Sequence, residues 1–121
     1  MKIKYKKLKS GVYIEIDLQN QFNVNLFQCM LKELSFKIEE EFSAITYQER
    51  MARASMIMSL HTILQKVRVA TKIKLNVYEA VAWYYAVLDR TIQGIEASTL
   101  ALFETLTNTI DQKIIKQPLL L

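Results

Sequence analysis

The scarcity of glycine and proline limits what this chain can fold into. Its 121 residues contain two glycines and one proline, and tight turns depend on these two residue types. Long helices are therefore favoured over a sheet of many strands. Because 51% of the residues are hydrophobic, one domain of this length can bury a core. We predict a mainly α single domain over residues 1–121, a bundle of three to four long helices with an N-terminal β-hairpin.

The first 18 residues alternate between apolar and charged side chains, which is the period of a half-buried strand. A two-residue loop at Lys9 and Ser10 folds residues 1–18 into a hairpin with consistent faces. It pairs Ile3 with Ile16 and Tyr5 with Ile14 on one face, and Lys2 with Asp17 and Lys4 with Glu15 on the other. Lys-Ser is a poor sequence for a tight primed turn. A four-residue loop also keeps both faces, so the turn type stays open.

Apolar residues recur at helical spacing over residues 22–45, 46–73 and 76–115. Thr46 and Glu49 have the spacing of a capping box, and Asn76 and Glu79 repeat it. We expect a turn between these helices, within residues 72–75. The apolar stripe runs on across Gly94, so the last region is either one helix, roughly 58 Å long, or two helices broken at that glycine. Both alternatives remain open.

The predicted helix over residues 46–73 is the central helix. One edge of it is basic, because four cations and the only histidine share that edge. These residues are Arg50, Arg53, His61, Arg68 and Lys72. The edge is either a solvated face that meets acidic neighbouring helices or a surface for phosphates or an acidic partner. The N-terminal lysines are either protection of a sheet edge or a basic arm. A nucleic-acid surface would combine both groups: Lys2, Lys4, Lys6, Lys7, Lys9, Arg50, Arg53, Arg68 and Lys72.

The segment from residue 77 to residue 88 is apolar almost all round, which indicates a helix buried in a bundle or an interface. Three consecutive aromatic residues cannot all point inward, so we expect at least one to contact a partner. Leucines at the end of the printed sequence could fill a partner's pocket. The candidate partner-binding residues are Trp83, Tyr84, Tyr85, Leu119, Leu120 and Leu121.

Charge is divided into blocks along the chain. Residues 32–49 carry a net charge of −3, residues 50–78 carry +6, and residues 79–111 carry −4. Such blocks can pair head to tail between copies. We therefore predict that the chain binds a protein partner, and in the simplest case this partner is another copy of the chain, in a homo-oligomer.

Catalytic chemistry is not indicated. The two glycines stand apart, so there is no phosphate-binding loop, and one histidine with one cysteine cannot build a usual zinc site. A di-iron bundle needs a Glu three residues before the His, and Met58 stands there before His61. We expect no enzyme activity, no cofactor and no metal.

The single cysteine bears on location. We expect Cys29 to be a small core residue, and one cysteine allows no internal disulfide, which fits a reducing compartment such as the cytoplasm. The longest uncharged stretch, residues 18–31, is too short and too polar to span a bilayer. We expect no membrane association. If the protein is phage-encoded, it would act within a host cell or a virion.

Two function hypotheses follow. The first is a non-enzymatic interaction or assembly protein of structural, adaptor or inhibitor type, which acts through oligomerisation and protein binding. Its outline, a hairpin followed by helices poor in glycine and proline, is common among small phage and mobile-element proteins. The alternative is a nucleic-acid-binding accessory protein that uses the basic residues named above.

Overall fold

The computed structural model describes residues 1–44, 46–88 and 97–117. In chain order, its elements are β1 (Lys2–Leu8), β2 (Gly11–Asp17), α1 (Gln21–Glu40), a 3₁₀ turn (Phe42–Ala44), α2 (Tyr47–Val69), β3 (Lys72–Leu75), α3 (Val77–Leu88), α4 (Ala97–Ile110) and a π-helical segment (Asp111–Ile115). A mainly helical chain with an N-terminal hairpin is thus confirmed. The prediction of three to four long helices is confirmed only in part: α1 and α2 have 20 and 23 residues, but α3 has only 12.

The hairpin has the predicted register. β1 and β2 are antiparallel, with Ile3 opposite Ile16 and Lys4 opposite Glu15, and the loop is the two-residue one. The positive φ that a tight turn needs is not at Lys9 or Ser10. Gly11 adopts φ +139° instead, a value that residues with a Cβ rarely adopt. The glycine after the loop therefore explains how an unsuitable Lys-Ser pair can close the hairpin.

A third strand occupies the position where we predicted a turn. β3 pairs antiparallel with β2, so the sheet order is β1-β2-β3. Ile16 lies opposite Ile73, and Ile14 lies opposite Leu75. Leu18 N–H also donates to Thr71 O at 2.9 Å, which extends the contact beyond the strand. The prediction of a turn at residues 72–75 was wrong, because the apolar side chains of β3 are buried on the sheet's inner face.

The helix boundaries follow the local capping chemistry. Thr46 accepts a hydrogen bond from Glu49 N–H, and the Glu49 carboxylate accepts one from Thr46 N–H, so the predicted capping box is present. Asn76 and Glu79 exchange the same two bonds, at 2.8 and 3.0 Å. α2 ends at Val69 because Ala70 is extended, with φ −153°. The predicted helix over residues 46–73 is therefore four residues too long.

The core lies between the inner face of the sheet and the helices. β2 and β3 contribute the buried side chains of Ile14, Ile16, Ile73 and Leu75. An aromatic cluster lies among the helices: Phe27 of α1, Trp83 of α3 and Phe103 of α4 have ring centroids 5.1 to 5.7 Å apart. The described helices therefore cover one face of the sheet, and none of the described elements covers its other face.

α3 and α4 pack side by side. Trp83 Nε1 donates to Thr107 Oγ1 at 3.3 Å, and the Tyr84 hydroxyl donates to Asp111 Oδ1 at 2.8 Å. One straight helix would hold Trp83 and Thr107 about 36 Å apart, so the single-helix alternative is excluded. Gly94 itself lies outside the described residues, and so do Leu119, Leu120 and Leu121.

Candidate functional site

The basic edge predicted for the central helix is not one continuous surface. Arg50 Nε donates to Phe42 O at 2.7 Å, and Arg53 Nε lies 2.6 Å from Glu41 Oε2. Both arginines therefore hold the connection between α1 and α2. His61 and Arg68 remain exposed on α2. Lys72 lies on β3 rather than on the helix, which corrects its predicted place in the edge.

Strand β3 brings cations to the outer face of the sheet. Side chains alternate along a strand. The buried residues of β2 and β3 and the half-buried Ile3 and Tyr5 of β1 pack against the core, so their charged neighbours point away. The outer face carries Lys2, Lys4, Lys6, Tyr13, Glu15, Asp17, Lys72 and Lys74. We call this set the basic sheet face. The lysines of β1 were predicted as a basic group, but Lys74 was not, because residues 72–75 were assigned to a turn.

The charge of the protein is concentrated in the sheet. Residues 2–17 and 72–75 carry seven lysines and two acidic residues, a formal charge of +5, while the rest of the chain has nine basic and ten acidic residues. The carboxylates lie on the middle strand, opposite lysines of both edge strands. Lys6 Nζ is 2.8 Å from Glu15 Oε2. The hydrogen bond from Lys6, with the nearby charges of Lys74 and Lys4, holds the pKa of Glu15 below its ordinary value.

Ion pairs within the chain neutralise part of the charge of the predicted blocks. Glu79 is only 3% exposed, and its carboxylate accepts hydrogen bonds from Lys66 Nζ at 2.6 Å and from Thr62 Oγ1 at 3.0 Å. Lys66 also donates to Lys74 O at 2.8 Å. These contacts join α2, β3 and the start of α3. The Lys66–Glu79 and Arg53–Glu41 pairs therefore connect neighbouring charge blocks within one copy.

The three consecutive aromatic residues of α3 have different surroundings. Trp83 is fully buried, so its predicted contact with a partner is corrected to a core position. Tyr84 is half-buried, and its hydrogen bond to Asp111 raises the Tyr84 pKa and lowers the Asp111 pKa. Tyr85 is exposed. Tyr78, which the prediction did not include, is 81% exposed. The helical period could have identified it, because Tyr78 and Tyr85 are seven residues apart on one face.

A groove separates the N-terminal part of α2 from α3. Its volume is about 380 Å³, and its walls contain no charged side chain among the described residues. It is lined by Ala52, Ser55, Met56, Ser59, Val77, Tyr78, Val81, Ala82 and Tyr85. Glu79 meets Thr62 and Lys66, whereas Tyr85 shares the groove with Ala52, so the two helices run antiparallel. We call this surface the α2–α3 groove.

The two residues most often found at reactive sites are both exposed. His61 makes no hydrogen bond to any residue that the structure describes. Cys29 is exposed on α1, which corrects its predicted core position. Within the described ranges, no three His, Cys, Asp or Glu side chains are grouped so that they could hold a metal ion. Across the same residues, no helix has both the length and the apolar character to cross a membrane.

Comparison of the chain with protein-family models, with curated proteins and with solved structures gives no match. The two surfaces of the molecule that bear on its function are the α2–α3 groove and the basic sheet face.

Proposed function

We propose that this protein is a non-enzymatic interaction protein that self-associates through the α2–α3 groove. One observation carries the proposal: an uncharged groove is bordered by tyrosines, and Tyr78 is 81% exposed. Covering uncharged walls requires no desolvation of an ion. Tyrosine offers a large contact area and a polar end, and it is enriched at protein interfaces.

A second copy of the chain fits this surface because the groove has both protruding and recessed parts. α2 lines it with the small side chains of Ala52, Ser55 and Ser59, whereas α3 contributes Tyr78 and Tyr85. In a two-fold pair, each surface meets its own equivalent. The tyrosines of one copy would then lie over the small residues of the other. This self-complementarity supports a homodimer as the basic assembly.

Light scattering at low and high salt tests the proposal. One chain has a mass of 14.1 kDa, and we expect a defined multimer that persists at high salt, since the groove contains no ion pair to screen. Ser59→Arg places a long charged side chain in the groove and should give a monomer. The control is Phe36→Arg on α1, where the native phenylalanine is exposed, and this variant should stay multimeric.

Three results would contradict the proposal. A wild-type mass near 14 kDa at both salt concentrations would mean that the groove serves a foreign partner. A multimer that dissociates in salt would place ion pairs at the interface instead. Equal loss of assembly in both variants would show that the interface is not specific to the groove. A cytoplasmic location belongs to the same proposal, and cell fractionation would test it.

A further inference from the structure

We infer that the basic sheet face binds the phosphate backbone of double-stranded nucleic acid, independently of sequence. This site is separate from the α2–α3 groove and does not depend on self-association. It also differs from the basic edge of α2, since Arg50 and Arg53 are engaged at the α1–α2 connection. The lysines of β3 take the place of those arginines.

The lysines of the face are available to a ligand. All five (Lys2, Lys4, Lys6, Lys72 and Lys74) are exposed. Within the part of the chain that the structure describes, only Lys6 of these five forms an ion pair, with Glu15. Lys2 and Lys4 lie opposite Asp17 and Glu15 in register, but neither closes a salt bridge. Four lysines thus present their charge to solvent.

The cations form two rows, one along β1 and one along β3, that an extended polyanion can contact together. Alternate residues on a strand are about 6.7 Å apart, so Lys2, Lys4 and Lys6 extend over about 13 Å along β1. β3 lies two strand spacings away, about 10 Å, and carries Lys72 and Lys74. Between the rows is a depression of about 190 Å³, lined by three lysines and two carboxylates. An extended polyanion can contact both rows, whereas a single small anion would meet the carboxylates as well.

The other side chains of the face favour a duplex backbone over exposed bases. Single-stranded sites stack bases on aromatic rings. Tyr13 is the one aromatic residue among the outward positions of the three strands, and it is half-buried, with its hydroxyl 3.4 Å from Ser10 Oγ. A protein partner would need a desolvated apolar anchor at the centre of the contact. That centre is instead occupied by Glu15 and Asp17.

Glu15 should oppose the binding of phosphate by the lysines around it. It competes with phosphate for Lys6 and reduces the potential felt from Lys4 and Lys74, which surround it. Removal of this carboxylate should therefore strengthen binding, while removal of lysines should weaken it. A merely structural role for the face would not produce opposite changes in affinity from neighbouring positions.

Fluorescence anisotropy with a labelled duplex provides the test, with salt varied from 50 to 200 mM. The affinity of the wild type should fall steeply with salt, because each phosphate contact contributes about −0.9 to the logarithmic slope. Lys4→Gln with Lys74→Gln should weaken binding at least about tenfold and reduce the slope by about 1.8. Glu15→Gln should bind several times more tightly. Lys32→Gln with Lys37→Gln on α1 removes the same charge elsewhere and should change affinity less than twofold.

Four other results would overturn the inference. Absence of duplex binding by the wild type would exclude the site, and equal losses in the two double variants would reduce it to net charge. Tighter binding of a single strand would contradict the duplex assignment. Competition by polyglutamate at the same charge concentration would identify an acidic protein as the partner. Circular dichroism of each variant separates loss of binding from loss of fold.

Discussion

At the scale of single residues, Glu79 connects more of the structure than any local pattern suggested. The spacing from Asn76 correctly predicted its capping role. Its burial and its contact with Lys66 could not be predicted, because the two residues lie 13 positions apart and meet only after α2 and α3 pack. A capping motif is readable from sequence since it is local, whereas an ion pair between α2 and α3 depends on the tertiary fold.

Truncation of this carboxylate should destabilise the protein. Glu79→Ala leaves the Asn76 N–H, Thr62 and Lys66 without their shared acceptor, so we expect a loss of about 2–3 kcal/mol in the free energy of unfolding. Urea denaturation measures it as a lower midpoint at unchanged slope. Glu104→Ala, at an exposed position of α4, is the control and should change stability by less than about 0.5 kcal/mol. Equal effects would mean that the Glu79 contacts contribute nothing specific.

Asp111 makes the stability of the protein depend on pH in the acidic range. The hydrogen bond from Tyr84 and the pair with Lys116 lower the Asp111 pKa in the folded state. Its contribution to stability is therefore complete above the unfolded pKa of about 4 and is lost as the pH falls through the lower folded value. We expect the melting temperatures of wild type and Asp111→Asn to differ at pH 6 and to converge as the pH falls through the lowered folded-state pKa of Asp111. A constant difference across this range would contradict the assignment.

At the scale of elements, the sequence predicted β1, β2 and both long helices, but it did not predict β3. The hairpin was readable because its strands are adjacent and a two-residue loop makes both their charges and their apolar faces agree. β3 has four residues, too few for a periodic signal to stand out beside a 23-residue helix. Its alternation of lysine with Ile73 and Leu75 was the available signal. The same omission explains why the basic sheet face was seen only in part.

The contribution of β3 can be measured at Ile73. This side chain is buried opposite Ile16, so Ile73→Ala should cost about 2–4 kcal/mol through lost burial and the cavity left behind. Val69 is 85% exposed at the end of α2, and Val69→Ala should be nearly neutral. Chemical denaturation of both variants makes the comparison. A neutral Ile73→Ala would show that the third strand does not pack on the core.

At the scale of the whole molecule, one aromatic cluster joins three helices that are distant in sequence. Helical spacing of apolar residues was predicted over residues 22–45, and Phe27 within it is buried. The contact of Phe27 with Trp83 and Phe103 was not predictable, because α3 is apolar on nearly all sides and its periodicity does not say which side faces the core. For the same reason Trp83 was assigned to a partner surface.

Trp83 provides a probe of the whole fold because it is the only tryptophan. It lies in the core between Phe27 and Phe103, so its fluorescence reports the packing of α1, α3 and α4. If residues 1–121 form one domain, tryptophan fluorescence and far-ultraviolet circular dichroism should follow the same unfolding curve. Two separated transitions would instead show that the sheet and the helices unfold as independent units.

β2 pairs with one strand that is close in sequence and one that is distant, and from this we expect an order of folding. β1 is two residues away and can pair within microseconds, but Lys72 reaches Asp17 only after the chain has closed a loop that contains α1 and α2. During synthesis on the ribosome, the β2 edge of the hairpin therefore stays unpaired until residue 75 has emerged. Unpaired edges invite pairing between nascent chains. Glu15 and Asp17 lie along that edge strand, so two hairpins that approached each other through it would bring carboxylates together and separate.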